Sequence, residues 1–458
     1  MNTDEWLPNM GKTGQPKYIE MAIAIGEDIA SGRLEPGDRL PPQRKVAKAL
    51  DVDISLISRA YTEAARRGFV ESHVGRGTFV AEKKSEKRGP DPRRTLEEDP
   101  RMNMPPEIES SKLVERMRHG FDHVASNIIP LLRYQSATGG VKDREIAIKW
   151  LQTKRVPVST DTLTITPGTH SAIHAALTVL KKPQTVILCE PITYPGIRAI
   201  ASYLSISLLA LEEDERGITP SSLGKAINEH PDAVLYLNPT VRNPTTHTMP
   251  GDRRVEIADV LRRHNIPLIE DDAYGLVVAD TPTAISDLVP ELAWHILGVS
   301  KAFGASLRLA YARAPNRDQL SAFVQIIRTI NVMTSPLNLA LLSTWIEDGT
   351  ADDMLVEVRD LADRRQAIAH RVLEGFEFDS QKEAYNIWLK APEGLSRAEI
   401  MARLAGGPLA VMPSDVFTVA GSPEERLRVC LGGPISEAAL EDGLTGLRSV
   451  LRQNDWTG

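Results

Sequence analysis

The chain has 458 residues, 42% of them hydrophobic and 25% charged, with a formal net charge of -7. That length exceeds what a single core serves, so at least two domains are expected. No apolar run approaches the roughly 20 residues that span a bilayer, and the opening MNTDEWLPNMGKTGQPK has neither the basic start nor the apolar stretch of a secretion signal.

A cytoplasmic protein with no membrane partner is expected. Cys189 and Cys430 lie far apart among apolar neighbours and read as small buried residues, with no disulfide framework and no metal site. The acidic total hides an uneven distribution. Residues 1–95 hold 17 Lys+Arg and 14 Asp+Glu, a balance of +3, which leaves -10 on the remainder. A mildly basic head on an acidic body suits nucleic-acid binding by one end only.

Residues 1–82 read as a small helical domain ending in a hairpin. Tyr18, Met21, Ile25 and Ile29 recur at helical spacing, and Gly32 can end that helix. After the turn LEPGDRLP, a short helix PQRKVAKAL carries Pro42 near its first turn and faces Val46 and Leu50 inward. A third helix, ISLISRAYTEAARRG, has Asp53 to cap it and Gly68 to stop it, with Ile54, Ile57, Tyr61 and Ala64 or Ala65 along one face. FVESHV and TFVAE then read as two strands about Gly75-Arg76-Gly77. Two close helices and a hairpin predict a winged helix-turn-helix whose second helix enters the major groove of double-stranded promoter DNA. A module that contacts only protein is the alternative, and the joint presence of wing and arginines weighs against it.

RLEPGDRLPPQRKVAKAL, the helix containing SRAY and the wing GRGTFV resemble the GntR family of bacterial regulators. The resemblance implies DNA contacts by Arg44 and Arg59, with Ser55 and Ser58 on the same recognition helix and Gly77 at the wing tip. Arg76 is added as a phosphate contact on general grounds. The recognition helix departs from the family, which often has Ser-Arg-x-Thr-Val where this chain has Asp53-Ile54-Ser55-Leu56-Ile57. Operator preference is therefore not transferable.

Residues 83–105, KKSEKRGPDPRRTLEEDPRMNMP, are dense in charge and proline and nearly empty of large apolar side chains. They read as a linker.

From 106 to 458, apolar strands such as TVILCE, AVLYLN, IPLIEDD and WHILGVS alternate with amphipathic segments. That alternation predicts an α/β domain with a mostly parallel sheet covered by helices, its functional residues at strand ends. ITPGTHSAIHAAL offers Gly168 and Thr169 at a helix start, where unpaired N–H groups can cradle phosphate. EPITYPG places Tyr194 after a strand, LNPTVRNPTTH places Asn243 beside two prolines, and IEDDAY holds Asp271 and Tyr274. GVSKAFGASLRLAY supplies Ser300, Lys301 and Arg308. None is decisive singly, since a lone lysine or aspartate is usually a solvated charge. Together they are the parts pyridoxal 5'-phosphate requires: a Schiff-base lysine, an aspartate for the pyridine nitrogen, and a helix start with an arginine for the phosphate.

The ordered set resembles the fold-type I aminotransferases, whose fold adds a small C-terminal α/β subdomain. The resemblance implies Lys301 as the Schiff-base lysine and Asp271 as the nitrogen's partner. It implies Asn243 and Tyr274 at the ring hydroxyl, Tyr194 stacked on the ring, and Gly168, Thr169, His170, Ser300 and Arg308 at the phosphate. Tyr134 is implied to reach the phosphate of a partner subunit, and Arg428 to clamp an effector's carboxylate. Gly298 stands where many relatives place Ser or Thr.

A GntR-type head on an aminotransferase-like body resembles the MocR subfamily, which implies a head-to-tail homodimer. An amino-bearing effector is then expected to displace Lys301, forming an external aldimine, and so to reset the two heads. Amino acids, ω-amino acids such as GABA, aminosulfonates and diamino-acid derivatives are all candidates. Two other readings stay open: a working aminotransferase with an accessory head, and a sensor of pyridoxal phosphate itself.

Overall fold

The computed structural model describes residues 6–8, 16–73, 77–81 and 102–452. The chain divides into two compact units, residues 1–98 and 99–458.

In the first unit, α1 (Lys17–Ala30), α2 (Gln43–Leu50) and α3 (Ile54–Arg66) precede two antiparallel strands, β1 (Val70–His73) and β2 (Gly77–Val80). The apolar periodicity explains the packing: Met21, Ile25, Val46, Ile57, Tyr61 and Ala64 form one core, closed by Trp6, whose indole N–H donates to Asp28. Asp53 caps α3 through the Ser55 amide, and Gly68 follows it with φ +76°. Ile54 departs from expectation. It is 43% exposed, because the first residue of α3 points away from the α1–α2 side. Ala64, not Ala65, takes the fourth core position.

The second unit is built on a seven-stranded sheet. Its strands are β3 (Leu163–Thr166), β4 (Val186–Cys189), β5 (Ser207–Ala210), β8 (Val234–Leu237), β9 (Leu268–Asp272), β10 (Ala293–Gly298) and β11 (Ala310–Arg313). A separate two-stranded ribbon, β6 (Glu213–Asp214) and β7 (Gly217–Ile218), lies between β5 and β8 in the chain. The order is β3-β11-β10-β9-β8-β4-β5. All pairs are parallel except the two that β11 makes, with β10 and β3. β8, β9 and β10 are buried throughout, as continuous apolar runs of a helix-covered parallel sheet should be.

A second sheet of four antiparallel strands follows: β12 (Phe378–Asp379), β13 (Asn386–Lys390), β15 (Arg426–Cys430) and β14 (Val411–Pro413). The 23-residue helix Thr350–Val372 joins the two parts. Met354, Leu355 and Val358 pack into the core beneath the large sheet, while Ala369 and Val372 pack under the small one. Among the described residues, no helix is long and apolar enough to cross a membrane.

Candidate functional site

The carboxyl ends of the parallel strands open into a cavity of about 470 Å³, a size suited to a cofactor. Thr169, Tyr194, Asn243, Asp271, Tyr274, Ser300, Lys301, Arg308 and Arg428 all line it. These residues come from six separate chain segments, five of them in the large sheet's part of the fold and the sixth, with Arg428, on β15. The sheet brings them together because each lies on a strand or in the turn that follows one.

Asp271 stands near the end of β9. Burial pushes its carboxyl up to about 6, opposed by a 2.7 Å hydrogen bond from the Tyr236 hydroxyl to Oδ2. Its Oδ1 is buried without a partner. Lys301 follows β10 in a single turn, Ser300–Phe303, whose position is fixed by the Tyr385 hydroxyl donating to the Lys301 carbonyl at 2.8 Å. Burial, and after it the nearby Arg428 guanidinium, push the Lys301 amine down to about 8, so a reactive neutral fraction exists near neutral pH.

The end of the cavity around Gly168 and Arg308 is shaped by close approaches. Gly168 has φ +94°, and a side chain there would meet the Arg308 guanidinium 3.0 Å away. The helix Thr169–Leu180 starts at this point and turns its free N–H groups outward. A Cβ on Gly298 would lie 2.7 Å from the Thr169 methyl, so Ser or Thr has no room there. His170 does not join the group. It is exposed and absent from the lining, although burial of part of its ring and the nearby Arg308 charge both lower its pKa. Tyr134 is 86% exposed and also outside the cavity of its own chain.

Arg428, on β15, is buried. Its Nη1 donates to Asn243 Oδ1 at 3.0 Å, and its guanidinium lies 5.1 Å from the Phe417 ring centroid. Asn243 is thus committed partly to Arg428. Val241 and Thr246, both β-branched, take positive φ on either side of it, a strain that surrounding contacts must hold.

Several lining residues have no signal in the sequence strong enough to single them out. Asn238 closes the loop by accepting from the Asn243 amide at 3.0 Å, and Phe417 lies beneath Arg428. Tyr236 supports Asp271 from the middle of a buried strand, where a tyrosine reads as core. Met102, Asn103, Met104 and Pro105 also line the cavity, although their composition places them in the linker. Asn103 is only 5% exposed.

The donor set fits pyridoxal 5'-phosphate on this geometry: an orphaned carboxylate oxygen for a protonated ring nitrogen, an amine of lowered pKa, and an arginine at a helix start for the phosphate. On the first unit, Arg44, Ser55, Ser58 and Arg59 are all exposed, the last three on α3. The Arg59 guanidinium rests 4.2 Å from the Tyr18 ring centroid, which holds it at the α1–α3 edge. Gly77 opens β2 opposite His73, and a Cβ there would meet Arg39 Nε at 2.9 Å. Arg39 is an exposed cation beside the wing that the turn GDRL did not flag. Arg76 and residues 83–101 lie outside the described residues.

The model of bacterial regulatory proteins of the gntR family matches residues 17–80, and that of aminotransferase class I and II matches residues 109–446. An uncharacterized HTH-type transcriptional regulator of Bacillus subtilis, YdeF, is 29% identical over 97% of this chain and 96% of its own length. The HTH-type transcriptional regulator TauR of Rhodobacter capsulatus is 23% identical over 93% of this chain and 95% of its own. Among solved structures, the α-aminoadipate aminotransferase LysN of Thermus thermophilus superposes with a TM-score of 0.68 at 21% identity, covering 77% of this chain and 91% of that one. The chain therefore belongs to the aminotransferase class I and II family, in the MocR form that carries this pyridoxal-phosphate-binding domain behind a gntR-type winged helix.

Proposed function

We propose that this protein is a transcription regulator that binds promoter DNA through residues 1–82 and takes its signal from a small amino compound in the pyridoxal-phosphate cavity. The observation that carries the reading is the pairing, in one chain, of a cavity holding Lys301, Asp271 and Arg428 with a winged helix whose arginines are exposed. A metabolic enzyme has no use for the second feature. DNA as partner also supports a cytoplasmic location.

When bound, pyridoxal phosphate supplies an aldehyde that takes up amines and a ring that withdraws electrons. The protein's groups do the rest. Lys301 offers its amine, kept partly neutral by burial. Asp271, held by Tyr236, would offer its unpartnered oxygen to a ring N–H. Tyr194 would supply an aromatic face for the ring, and Asn243 and Tyr274 would supply polar groups for its hydroxyl. Thr169, the helix start and Arg308 would hold the phosphate, with Ser300 beside them. Arg428 offers a planar fork to a ligand carboxylate, giving up its bond to Asn243 as it does so. An effector moves the heads only by the difference in its affinity for two arrangements of the chain, typically about 1–3 kcal/mol.

A dimer completes the site. Tyr134 is exposed, and so are Ile129, Leu132, Val141, Ile330 and Val332, apolar surface that supports pairing with a second copy, for which a head-to-tail arrangement is proposed. From there Tyr134 is proposed to reach the partner's phosphate group. On α3, Ser55, Ser58 and Arg59 face the major groove, with Arg44 at the flanking backbone and the wing beside it.

The deciding experiment is an absorption titration with a panel of amino compounds, with and without a promoter fragment from the protein's own gene neighbourhood. A spectral shift without turnover that changes DNA affinity supports the regulator. Repeated conversion of amino acid to keto acid, indifferent to DNA, assigns an aminotransferase instead.

A further inference from the structure

Asn103 lines the cavity without being one of the groups assigned to the cofactor, and three hydrogen bonds tie it to its surroundings. Its main-chain carbonyl accepts from the Lys301 amine. Its side-chain Nδ2 donates to the Tyr274 hydroxyl at 3.1 Å and to Asn386 Oδ1 at 2.9 Å. Its own Oδ1 is buried with no partner. Tyr274 follows β9 of the large sheet, whereas Asn386 opens β13 of the small one. Asn103 therefore touches both parts of the body and the reactive amine.

The residues next to it are stitched to the small subdomain. The Gly433 amide donates to the Pro105 carbonyl at 3.0 Å, and Pro106 pairs with Gly433 in a parallel bridge. Gly432 packs so closely that a Cβ would lie 1.8 Å from the Met104 carbonyl oxygen. Arg365, from the long joining helix, fixes the far side of this turn by donating to the Leu431 and Ile435 carbonyls, both at 2.8 Å. Residues 102–106 are thus a strap, and along the chain the strap is the end of the segment leading from the winged helix.

We propose that Asn103 reads the state of the Lys301 amine and of the ligand beside it, and that the strap 102–106 passes cavity occupancy to the tether of the DNA-binding head. The inference rests on the function proposed above. Lys301 has one amine, and the partner it gives to Asn103 competes with the cofactor that the same amine engages. An amine set free in a half-buried pocket needs an acceptor, and the Asn103 carbonyl is in reach. The unpartnered Oδ1 favours a ligand bearing a second donor, a hydroxyl, amide or ammonium group, because a buried acceptor left unpaired is costly. Ligand choice and signal output meet in one residue.

The test uses the full-length dimer, with pyridoxal phosphate and the promoter fragment as probes. Hydrogen exchange of the Gly433 amide reports the strap, while that of Leu431, bonded to the Tyr385 carbonyl, serves as an internal reference. Adding pyridoxal phosphate to cofactor-free protein is expected to change Gly433 exchange and DNA affinity, each by at least about fivefold. Asn103→Ala keeps the main-chain carbonyl but removes the bonds to Tyr274 and Asn386 that tie the strap to both sheets; in it and in Gly432→Ala the cofactor absorbance should still form, but the two responses should separate or vanish. Gly432→Ala changes no residue of the cavity but displaces the strap that lines part of it, so cofactor absorbance retained in both variants is what separates signalling from damaged binding. Responses equal to wild type in both variants, or a DNA response with Gly433 exchange unmoved, overturn the proposal alone. Absence of cofactor absorbance in the wild type overturns the underlying reading as well.

Discussion

Asp271→Asn separates two effects of one carboxylate. In the cofactor-free protein Asp271 is buried, its Oδ1 is unpartnered, and burial raises its pKa from 3.8 to about 6. A raised carboxyl pKa means that the folded state holds the proton more tightly than the unfolded chain. The cost of ionising it is therefore absent below about pH 4, grows through the window to about pH 6, and is complete above it. At about 1.4 kcal/mol per unit the full penalty is about 3 kcal/mol. Asparagine keeps an acceptor for the Tyr236 hydroxyl and carries no charge. The cofactor-free variant should then be more stable than wild type at about pH 7, by up to about 3 kcal/mol, and equal to it at about pH 4. The cofactor-loaded variant should show the opposite sign. Without the anion the ring N–H loses a charge-assisted bond of about 1.5–3 kcal/mol, a loss of about ten- to 150-fold in affinity. Thermal unfolding at both pH values, before and after removal of the cofactor with hydroxylamine, measures the first effect. Absorption titration measures the second. A cofactor-free variant no more stable than wild type at the higher pH, or a difference that does not change with pH, would refute the reasoning.

Lys301→Ala should abolish the near-visible absorbance of bound cofactor and leave far-ultraviolet dichroism intact; absorbance that persists reassigns the lysine. Because burial and Arg428 lower the Lys301 pKa to about 8, cofactor capture by the cofactor-free protein should accelerate as pH rises and level off above that value. Arg428→Gln should move the midpoint upward, and a pH-independent rate would contradict the assignment. Arg44→Ala and Arg59→Ala should weaken retardation of promoter DNA and lower its salt dependence by about one unit each, with cofactor spectra unchanged; full retardation by both variants removes the proposed DNA face. Mixing Tyr134→Ala with Lys301→Ala subunits should restore tight cofactor binding in one site of each mixed dimer. No gain over the Tyr134→Ala homodimer means the tyrosine does not serve the partner.

Much of this site is legible before folding because its chemistry uses residue types at strand ends. Lys301, Asp271 and Tyr194 each follow an apolar run that a parallel sheet buries, Arg308 leads into the antiparallel β11, and all four line one cavity. His170 shows the limit. It is adjacent to Thr169 in sequence, but a helix turns successive side chains about 100° apart, which leaves it exposed. Ile54 fails for a related reason, since helical spacing alone does not tell where along the helix the neighbouring core begins.

The supporting residues were illegible for a different cause. Tyr236 reads as another large residue in a buried strand, and only the parallel register beside β9 brings its hydroxyl to Asp271. Asn103 lies in a stretch whose charge and proline content describe a tether, and its burial depends on a turn more than 300 residues away.

The amino-acid sequence by itself determined the two-part organisation, the strand and helix types and the identity of the reactive groups, because these follow from periodicity and from the chemistry of single side chains. Tertiary structure alone decided which groups meet, which carboxylate oxygen is left unpaired, and where the tether ends against Lys301. Those are matters of close approach between distant segments, and distances of a few ångströms are set by packing.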